Sequence, residues 1–421
     1  MAGRWGMGFL GGIVLFFFCL FGFPASLVAA EQPKLPDIKA EAYYIMDFET
    51  GATLAEYNAE EPRAPASMTK MMSAFVVLDQ IKAGKLRWDD KVEISKRAAA
   101  IPEAKIDLKP GKEETVRTLF DAMLIQSANN ATVALAEKVG RSEEGFVALM
   151  NKKAKELGMK NTQFRTASGL DEKSYGRYMP AMPAGHRQFE NNVMSAHDTA
   201  ILARKLIQTH PEVLKTTETK TKTLREGTSR EEKIKNWNLM LPSFPHAFEG
   251  VDGIKTGHTD EAGYCFTGTA KRGELRLITV IMGAKSDDRR FIETKKLLEY
   301  GFEHYELKTM LTANQPVPKH STLALPNGVE REVPVGVKTS VKAPVLKGED
   351  SKYTYQVQFD PAVKAPLKKG DVVGQVKVLY NGKEIKNIDP VQLTAQADVE
   401  EASSIRLFFR DLFDSITSWF R

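Results

Sequence analysis

Apolar residues at Met68, Met71, Met72, Phe75, Val76 and Leu78 recur at helical spacing just after Pro65, and predict a mostly buried helix. Ala42 to Asp47 and Ala52 to Tyr57 read as two strands joined at Glu49-Thr50-Gly51. Thr118 to Ala136 and Glu143 to Leu157 carry helical patterns, with Gly140 and Gly158 as stop signals. After Gly250 the pattern changes. Gly253 to Thr256 reads as a short strand, and Tyr264 to Ala270 and Leu275 to Met282 as a hairpin around Lys271-Arg272-Gly273-Glu274. Arg290 to Tyr305 then returns to helical spacing. Strands near both ends with helices between them predict an α+β fold, an antiparallel sheet flanked by a helical cluster.

From about Lys308 to Val399 the helical pattern is lost. Prolines such as Pro316, Pro334, Pro344 and Pro366 punctuate short segments, among them Tyr353 to Phe359 and Val372 to Tyr380. This predicts a small all-β, sandwich-like domain. The chain ends in a stretch where Ile405, Phe408, Phe409, Leu412, Ile416, Trp419 and Phe420 fall on one helical face. Ser403 or Ser404 can cap its start. So bulky a stripe suits the headgroup boundary of a membrane; packing on the β-domain is the alternative.

The N-terminus reads as an export signal. Arg4 precedes an apolar run from Gly6 to Phe23, and Val28-Ala29-Ala30 offers a small-residue cleavage site ahead of Glu31. The run is nearly long enough to span a bilayer, so an uncleaved anchor is the alternative. Bulky Phe16-Phe17-Phe18 before Cys19 argues against a lipoprotein signal. The expected organisation is therefore a signal at residues 1–30, a main domain at 31–305, a β-domain at 306–399 and an anchor helix at 400–421.

At 421 residues the chain has room for two domains, and 42% hydrophobic with 27% charged residues suits a packed core. The formal net charge is +5, or +4 once Arg4 leaves with the signal, too balanced to argue for nucleic acid. Of the two cysteines only Cys265 would remain, so no intramolecular disulfide can form. Cys265 sits in a strand pattern and reads as a buried, inert thiol.

Chemistry enters with three short segments: Ser67-Met68-Thr69-Lys70, Ser127-Ala128-Asn129 and Lys255-Thr256-Gly257. Each alone arises by chance. Together, in this order, with the first opening a helix and the last on a strand, they form a strong signal. Residues three apart on a helix share a face, which brings Lys70 to Ser67. A serine hydroxyl needs a base to become a nucleophile. Burial, the helix N-terminus and a second cation such as Lys255 can each depress the lysine pKa. Ser127 offers a hydroxyl that can relay a proton, Asn129 an amide for a substrate carbonyl, and Gly257 room for a substrate backbone along the strand edge. The seven histidines show no metal-ligand spacing, and neither a Gly-x-Ser-x-Gly elbow nor a phosphate loop is present. No cofactor or metal is expected.

These three segments, Gly257-His258-Thr259-Asp260 and Ser195-Ala196-His197-Asp198 resemble the serine-type D-alanyl-D-alanine carboxypeptidases of the penicillin-binding-protein-5 type. The likeness runs from about Lys39 to Glu303 and extends to the general plan of the chain. It implies an acyl-enzyme on Ser67 with Lys70 as proton acceptor, and Ser127 protonating the departing D-alanine. It further implies that Lys255, Thr256 and an arginine meet the substrate carboxylate, and that the backbone N–H groups of Ser67 and His258 form an oxyanion hole. Counting back from Lys295-Lys296-Leu297-Leu298 puts that arginine at Arg290, with Arg289 the neighbouring choice. Implied partners are peptidoglycan stem peptides, β-lactams as covalent inhibitors and the membrane surface, and the implied location is the periplasmic face of the cytoplasmic membrane. Rival readings are a β-lactamase, a D,D-endopeptidase and an inactive wall-binding scaffold. The Glu-x-x-Leu-Asn segment of class A β-lactamases is absent.

Overall fold

Five antiparallel strands form the main sheet, in the order Thr53–Tyr57, Ala42–Asp47, Leu275–Ala284, Gly263–Arg272, Val251–Thr259. Both chain ends of the main domain thus meet in one sheet, as the sequence pattern requires. The computed structural model describes residues 33–180 and 190–418. The expected export signal, and Trp419 to Arg421, lie outside the described residues.

Side chains alternate between faces along each strand. Tyr44 and Met46, with Ile278, Val280 and Met282, face the helical cluster. Tyr43 and Ile45, with Phe266, Leu277 and Ile281, face Phe291, Leu297 and Leu298 of the Asp287–His304 helix. Ala42–Asp47 is buried at every position, which is why it reads as a continuous apolar run rather than an alternating one. The Lys70–Lys82 helix runs through the middle of the cluster, buried from Lys70 to Leu78.

Two sequence expectations change in a way that matters for the chemistry. The pattern over Thr118 to Ala136 is not one helix but two, Val116–Ile125 and Asn129–Gly140. The break falls at Ser127, whose φ of 62° is left-handed and cannot continue a right-handed helix. The Asn129 N–H is tied instead to the Ala104 carbonyl at 2.6 Å. Ser67 likewise precedes the α-helix: it sits in a 3-10 turn, Ala66–Thr69, and the α-helix begins at Lys70.

After the Asp287–His304 helix the chain is β-structure, apart from one 3-10 turn, as far as the terminal helix. Tyr305–Leu311 pairs with Val341–Leu346, and a six-stranded sheet carries Tyr353–Phe359 and Val372–Tyr380 at the bounds the sequence suggested. Both sheets share a valine-rich core that includes Val333, Val335, Val345, Val373 and Leu393. This β-domain reaches back to the main sheet. Asn387 Nδ2 donates to Tyr44 Oη at 3.0 Å and to Thr53 Oγ1 at 2.9 Å, and Lys386 pairs with Glu56. The contact meets the edge strand Thr53–Tyr57 at Thr53, whose N–H donates to the Lys386 carbonyl at 3.2 Å, and at Glu56.

The terminal helix spans Ser404–Ser418, capped by the Ser403 hydroxyl, which accepts from the Arg406 N–H at 3.3 Å. Arg406, Arg410 and Asp414 turn toward the β-domain. Arg410 donates to the carbonyls of Pro326, Gly328 and Val329, and Asp414 pairs with Arg331 at 2.9 Å. Ile405, Phe408, Phe409, Leu412, Phe413 and Ile416 are exposed.

Candidate active site

The 3-10 turn that presents Ser67 is wedged between two glycines. A Cβ on Gly257 would lie 2.6 Å from the Pro65 carbonyl oxygen and 3.3 Å from Ala66 Cβ. A Cβ on Gly169, whose φ is +83°, would lie 1.9 Å from the Ala66 carbonyl oxygen. Only glycine allows such close backbone approach, and at Gly169 only glycine takes that φ without strain. From its sequence context Gly257 is expected to make room for a substrate backbone. Its observed task is to let the Val251–Thr259 strand press against the turn that carries Ser67.

Lys70 is fully buried, and its Nζ has three oxygen neighbours: Ser67 Oγ at 2.8 Å, Asn129 Oδ1 at 2.7 Å and the Ser168 carbonyl at 2.8 Å. Burial holds its pKa well below the ordinary lysine value, and the nearby Lys255 charge lowers it further, against a smaller opposing pull from Glu103. A neutral amine has two N–H bonds and one lone pair. Donating to Asn129 and Ser168 uses both hydrogens and aims the lone pair at the Ser67 hydroxyl. That is the arrangement a general base for serine requires.

The Ser168 carbonyl is itself held from below. The preceding residue, Ala167, donates its N–H to Glu143 at 2.8 Å and accepts from Ser73 Oγ at 2.6 Å. Buried Glu143 also accepts from Tyr175 Oη at 2.7 Å and pairs with Arg97 at 2.6 Å. Burial raises the Glu143 pKa above the usual carboxylate range. Ser168 and this support carry no signal in the sequence, since a carbonyl leaves no trace in residue type.

Ser127 is buried at the helix break, two residues before Asn129. Asn129 was expected to face a substrate carbonyl. Here its Oδ1 accepts from Lys70 and its Nδ2 donates to the Pro102 carbonyl at 3.2 Å. Lys255 and Thr256 are buried on the facing strand. Lys255 Nζ donates to the Thr256 carbonyl at 3.1 Å, and its pKa is pushed down to about 7 by burial and then by Arg290. Two buried lysines with lowered pKa values, one of them 2.8 Å from a serine hydroxyl, make this the candidate site.

His258 is exposed, with its ring 4.0 Å from that of Tyr264. Arg290 is buried, donates to the Gly257 carbonyl at 3.0 Å and pairs with Asp287. Arg289 turns away to Glu293 at 3.2 Å. Of the two arginines, Arg290 is therefore the one joined to the Lys255-Thr256-Gly257 strand. Cys265 is buried behind that strand with its thiol pKa pushed up to about 11, inert as expected. Among the described residues no group of three His, Cys, Asp or Glu side chains is placed to hold a metal ion.

Residues 28–286 match the family described as D-alanyl-D-alanine carboxypeptidase, and residues 305–401 match the penicillin-binding protein 5 C-terminal domain. The chain is 36% identical over 406 residues to D-alanyl-D-alanine carboxypeptidase DacC of Escherichia coli, covering 94% of this chain and 92% of that protein. It is 34% identical over 377 residues to DacF of Bacillus subtilis, covering 89% and 90%. Among solved structures, penicillin-binding protein 5 from Haemophilus influenzae superposes with a TM-score of 0.73 at 32% identity, covering 87% of this chain and 99% of that one. Penicillin-binding protein D2 from Listeria monocytogenes, in its cefotaxime-bound form, superposes with a TM-score of 0.54 at 37% identity, over 64% and 100%.

Proposed function

From the premise that this chain belongs to the D-alanyl-D-alanine carboxypeptidase family, as a serine-type hydrolase of the penicillin-binding-protein-5 type, we propose how its residues divide the work and where it acts. The protein removes the terminal D-alanine of peptidoglycan stem peptides. The observation that carries the division of roles is Lys70 Nζ, 2.8 Å from Ser67 Oγ and held by two further acceptors.

Ser67 Oγ attacks the carbonyl carbon of the penultimate D-alanine while its proton passes to Lys70 Nζ. Backbone N–H groups of Ser67 and His258 meet the oxyanion. The carbon–nitrogen bond breaks, and the departing nitrogen takes the proton returned through Ser127. D-alanine leaves, and Ser67 carries the acyl group. Water then attacks the ester with Lys70 again accepting the proton; the bond to Ser67 Oγ breaks, Lys70 returns the proton to that oxygen, and the shortened peptide acid leaves. Lys255, Thr256 and Arg290 hold the terminal carboxylate, and Asn129 steadies both Lys70 and the substrate amide. A β-lactam enters the first step, but its amine stays tethered, so the acyl-enzyme persists. Release of D-alanine from a pentapeptide, measured beside nitrocefin turnover, tests this. Fast D-alanine release with slow nitrocefin turnover supports it, and the reverse ranking would make the chain a β-lactamase.

The working location we propose is the periplasmic face of the cytoplasmic membrane, reached through the N-terminal signal and held by the terminal helix. The domain plan follows: residues 31–305 catalytic, 306–399 a spacer and 400–421 the anchor. Support comes from the division of that helix. Arg406, Arg410 and Asp414 are tied to residues 326–331 of the β-domain, and the helix's large apolar side chains are exposed. Among the described residues no helix is long and apolar enough to cross a membrane. Burying several such side chains in the interface, at ~1.5–3 kcal/mol each, suffices for attachment. A chain ending at Val399 should keep cleaving a small pentapeptide and no longer co-sediment with anionic vesicles. Continued pelleting would refute the anchor.

A further inference from the structure

Between the Glu232–Lys235 strand and the Val251–Thr259 strand the chain passes Asn236-Trp237-Asn238. The two asparagines are buried and lock the turn. Asn236 Nδ2 donates to the carbonyls of Thr217 and Thr219, both at 2.9 Å, and its Oδ1 accepts from the Asn238 N–H at 2.9 Å. Asn238 Oδ1 accepts from the Met240 N–H at 3.0 Å. Trp237 between them is 51% exposed. Its indole Nε1 donates to the Gln126 carbonyl at 3.0 Å. Gln126 is the residue just before Ser127, at the helix break that presents the Ser127 hydroxyl.

A single exposed apolar side chain is ordinary. This one is different in two ways. It is fixed, by a bond across 111 residues of sequence and by a turn bonded on both sides. It is also joined to the residue beside Ser127. We infer that Trp237 is a specificity-determining residue: its indole walls the leaving-group side of the cleft and packs on the side chain of the departing D-amino acid. The inference rests on the reading of Ser127 as the group that protonates the leaving nitrogen. The leaving residue then has three substituents with three partners. Its nitrogen meets Ser127, its carboxylate meets Lys255, Thr256 and Arg290, and its methyl meets the indole. Three contacts on one carbon read both its size and its hand. A flat apolar wall favours a small apolar side chain over hydrogen, and over a polar one of equal size.

The test uses the full chain and peptides that differ only in the last residue, D-alanine, glycine or D-serine. One methyl against an apolar wall is worth roughly three- to tenfold in kcat/KM. The parent should prefer D-alanine over glycine by that factor. In Trp237→Ala the ratio should fall toward one, and in Trp237→Phe, which keeps the wall but not the Gln126 bond, most of it should remain. Selectivity for the residue on the acyl side should not move. In Ser67→Ala, the intact peptide should quench tryptophan emission, and Ser67→Ala/Trp237→Phe should lose that quench. A D-alanine to glycine ratio unchanged in a folded Trp237→Ala would overturn the inference. The role of Ser127 is read separately, from the absolute rate of D-alanine release in Ser127→Ala.

Discussion

Lys70 Nζ and Asn129 Oδ1 stand 2.7 Å apart, 59 residues apart in sequence. This bond joins the Ser-x-x-Lys segment to the Ser-x-Asn segment and makes them one device. The amide accepts one lysine hydrogen without adding charge, so the amine is oriented yet stays easy to deprotonate. Replacing Asn129 by Asp would put an anion at the same distance. An opposite charge favours the protonated lysine and raises its pKa. Asn129→Asp should therefore acylate with a β-lactam at least tenfold more slowly at pH 7. The acid limb of its rate–pH profile should move to higher pH. An unshifted limb would remove Lys70 from the base role.

The second lysine should cost stability. Lys255 is held down to about 7 by burial and by Arg290, against ~10.4 in an unfolded chain. Between those values the unfolded chain binds the extra proton, so stability rises with pH across that window. Below about 7 the whole penalty is present, and above ~10.4 none is. Lys255→Met, an apolar side chain of similar length, should thus melt higher than the parent at pH 6. The gain should shrink as the pH rises to 10, while D-alanine release is largely lost. A pH-independent gain would mean better packing rather than relief of a charge.

Arg290→Ala should weaken turnover of a peptide with a free terminal carboxylate by about ten- to a hundredfold, the loss of a charge-assisted hydrogen bond. An amidated analogue, already a poor substrate, should lose much less. Equal losses on both would reduce Arg290 to its structural bonds with Gly257 and Cys265.

Gly257→Ala should force the strand and the Ser67 turn apart by roughly half an ångström to an ångström, because the new Cβ would stand 2.6 Å from a backbone oxygen. The added Cβ would press on Pro65 and on Met68, whose Cγ would lie 3.2 Å away. Ser67 would move with that turn. Misplacement of a reacting atom on this scale costs about a hundredfold. Stopped-flow acylation should show that loss in the rate step, alongside a lowered melting temperature.

Much of this was legible because residue type and spacing carry it. Ala42–Asp47, Tyr353–Phe359 and Val372–Tyr380 appear at their expected bounds, as runs of β-branched and aromatic residues must pair or stay unburied. The hairpin around Gly273 follows from a turn signal, and a clean period shows the helix expected over Arg290 to Tyr305, which in fact starts three residues earlier, at Asp287, behind a Ser286 cap. The three segments come together through Lys70, which bonds to Ser67 and Asn129, and through Gly257, which abuts the Ser67 turn. What stayed hidden depends on backbone. The break at Ser127 is a single left-handed residue inside an unbroken helical pattern. The Ser168 carbonyl could belong to any residue type. Trp237 is an unremarkable aromatic until its bond to the Gln126 carbonyl ties it to the residue before Ser127.

The central claim is that Ser67, activated by Lys70, is the nucleophile. Peptide mass mapping after incubation with penicillin measures this most directly. The account predicts one adduct, on the peptide that contains Ser67. That adduct should be absent in Ser67→Ala and should form ~10²–10⁴-fold more slowly in Lys70→Ala. An adduct that persists in Ser67→Ala, or that maps to Ser127 in the unaltered protein, would contradict it.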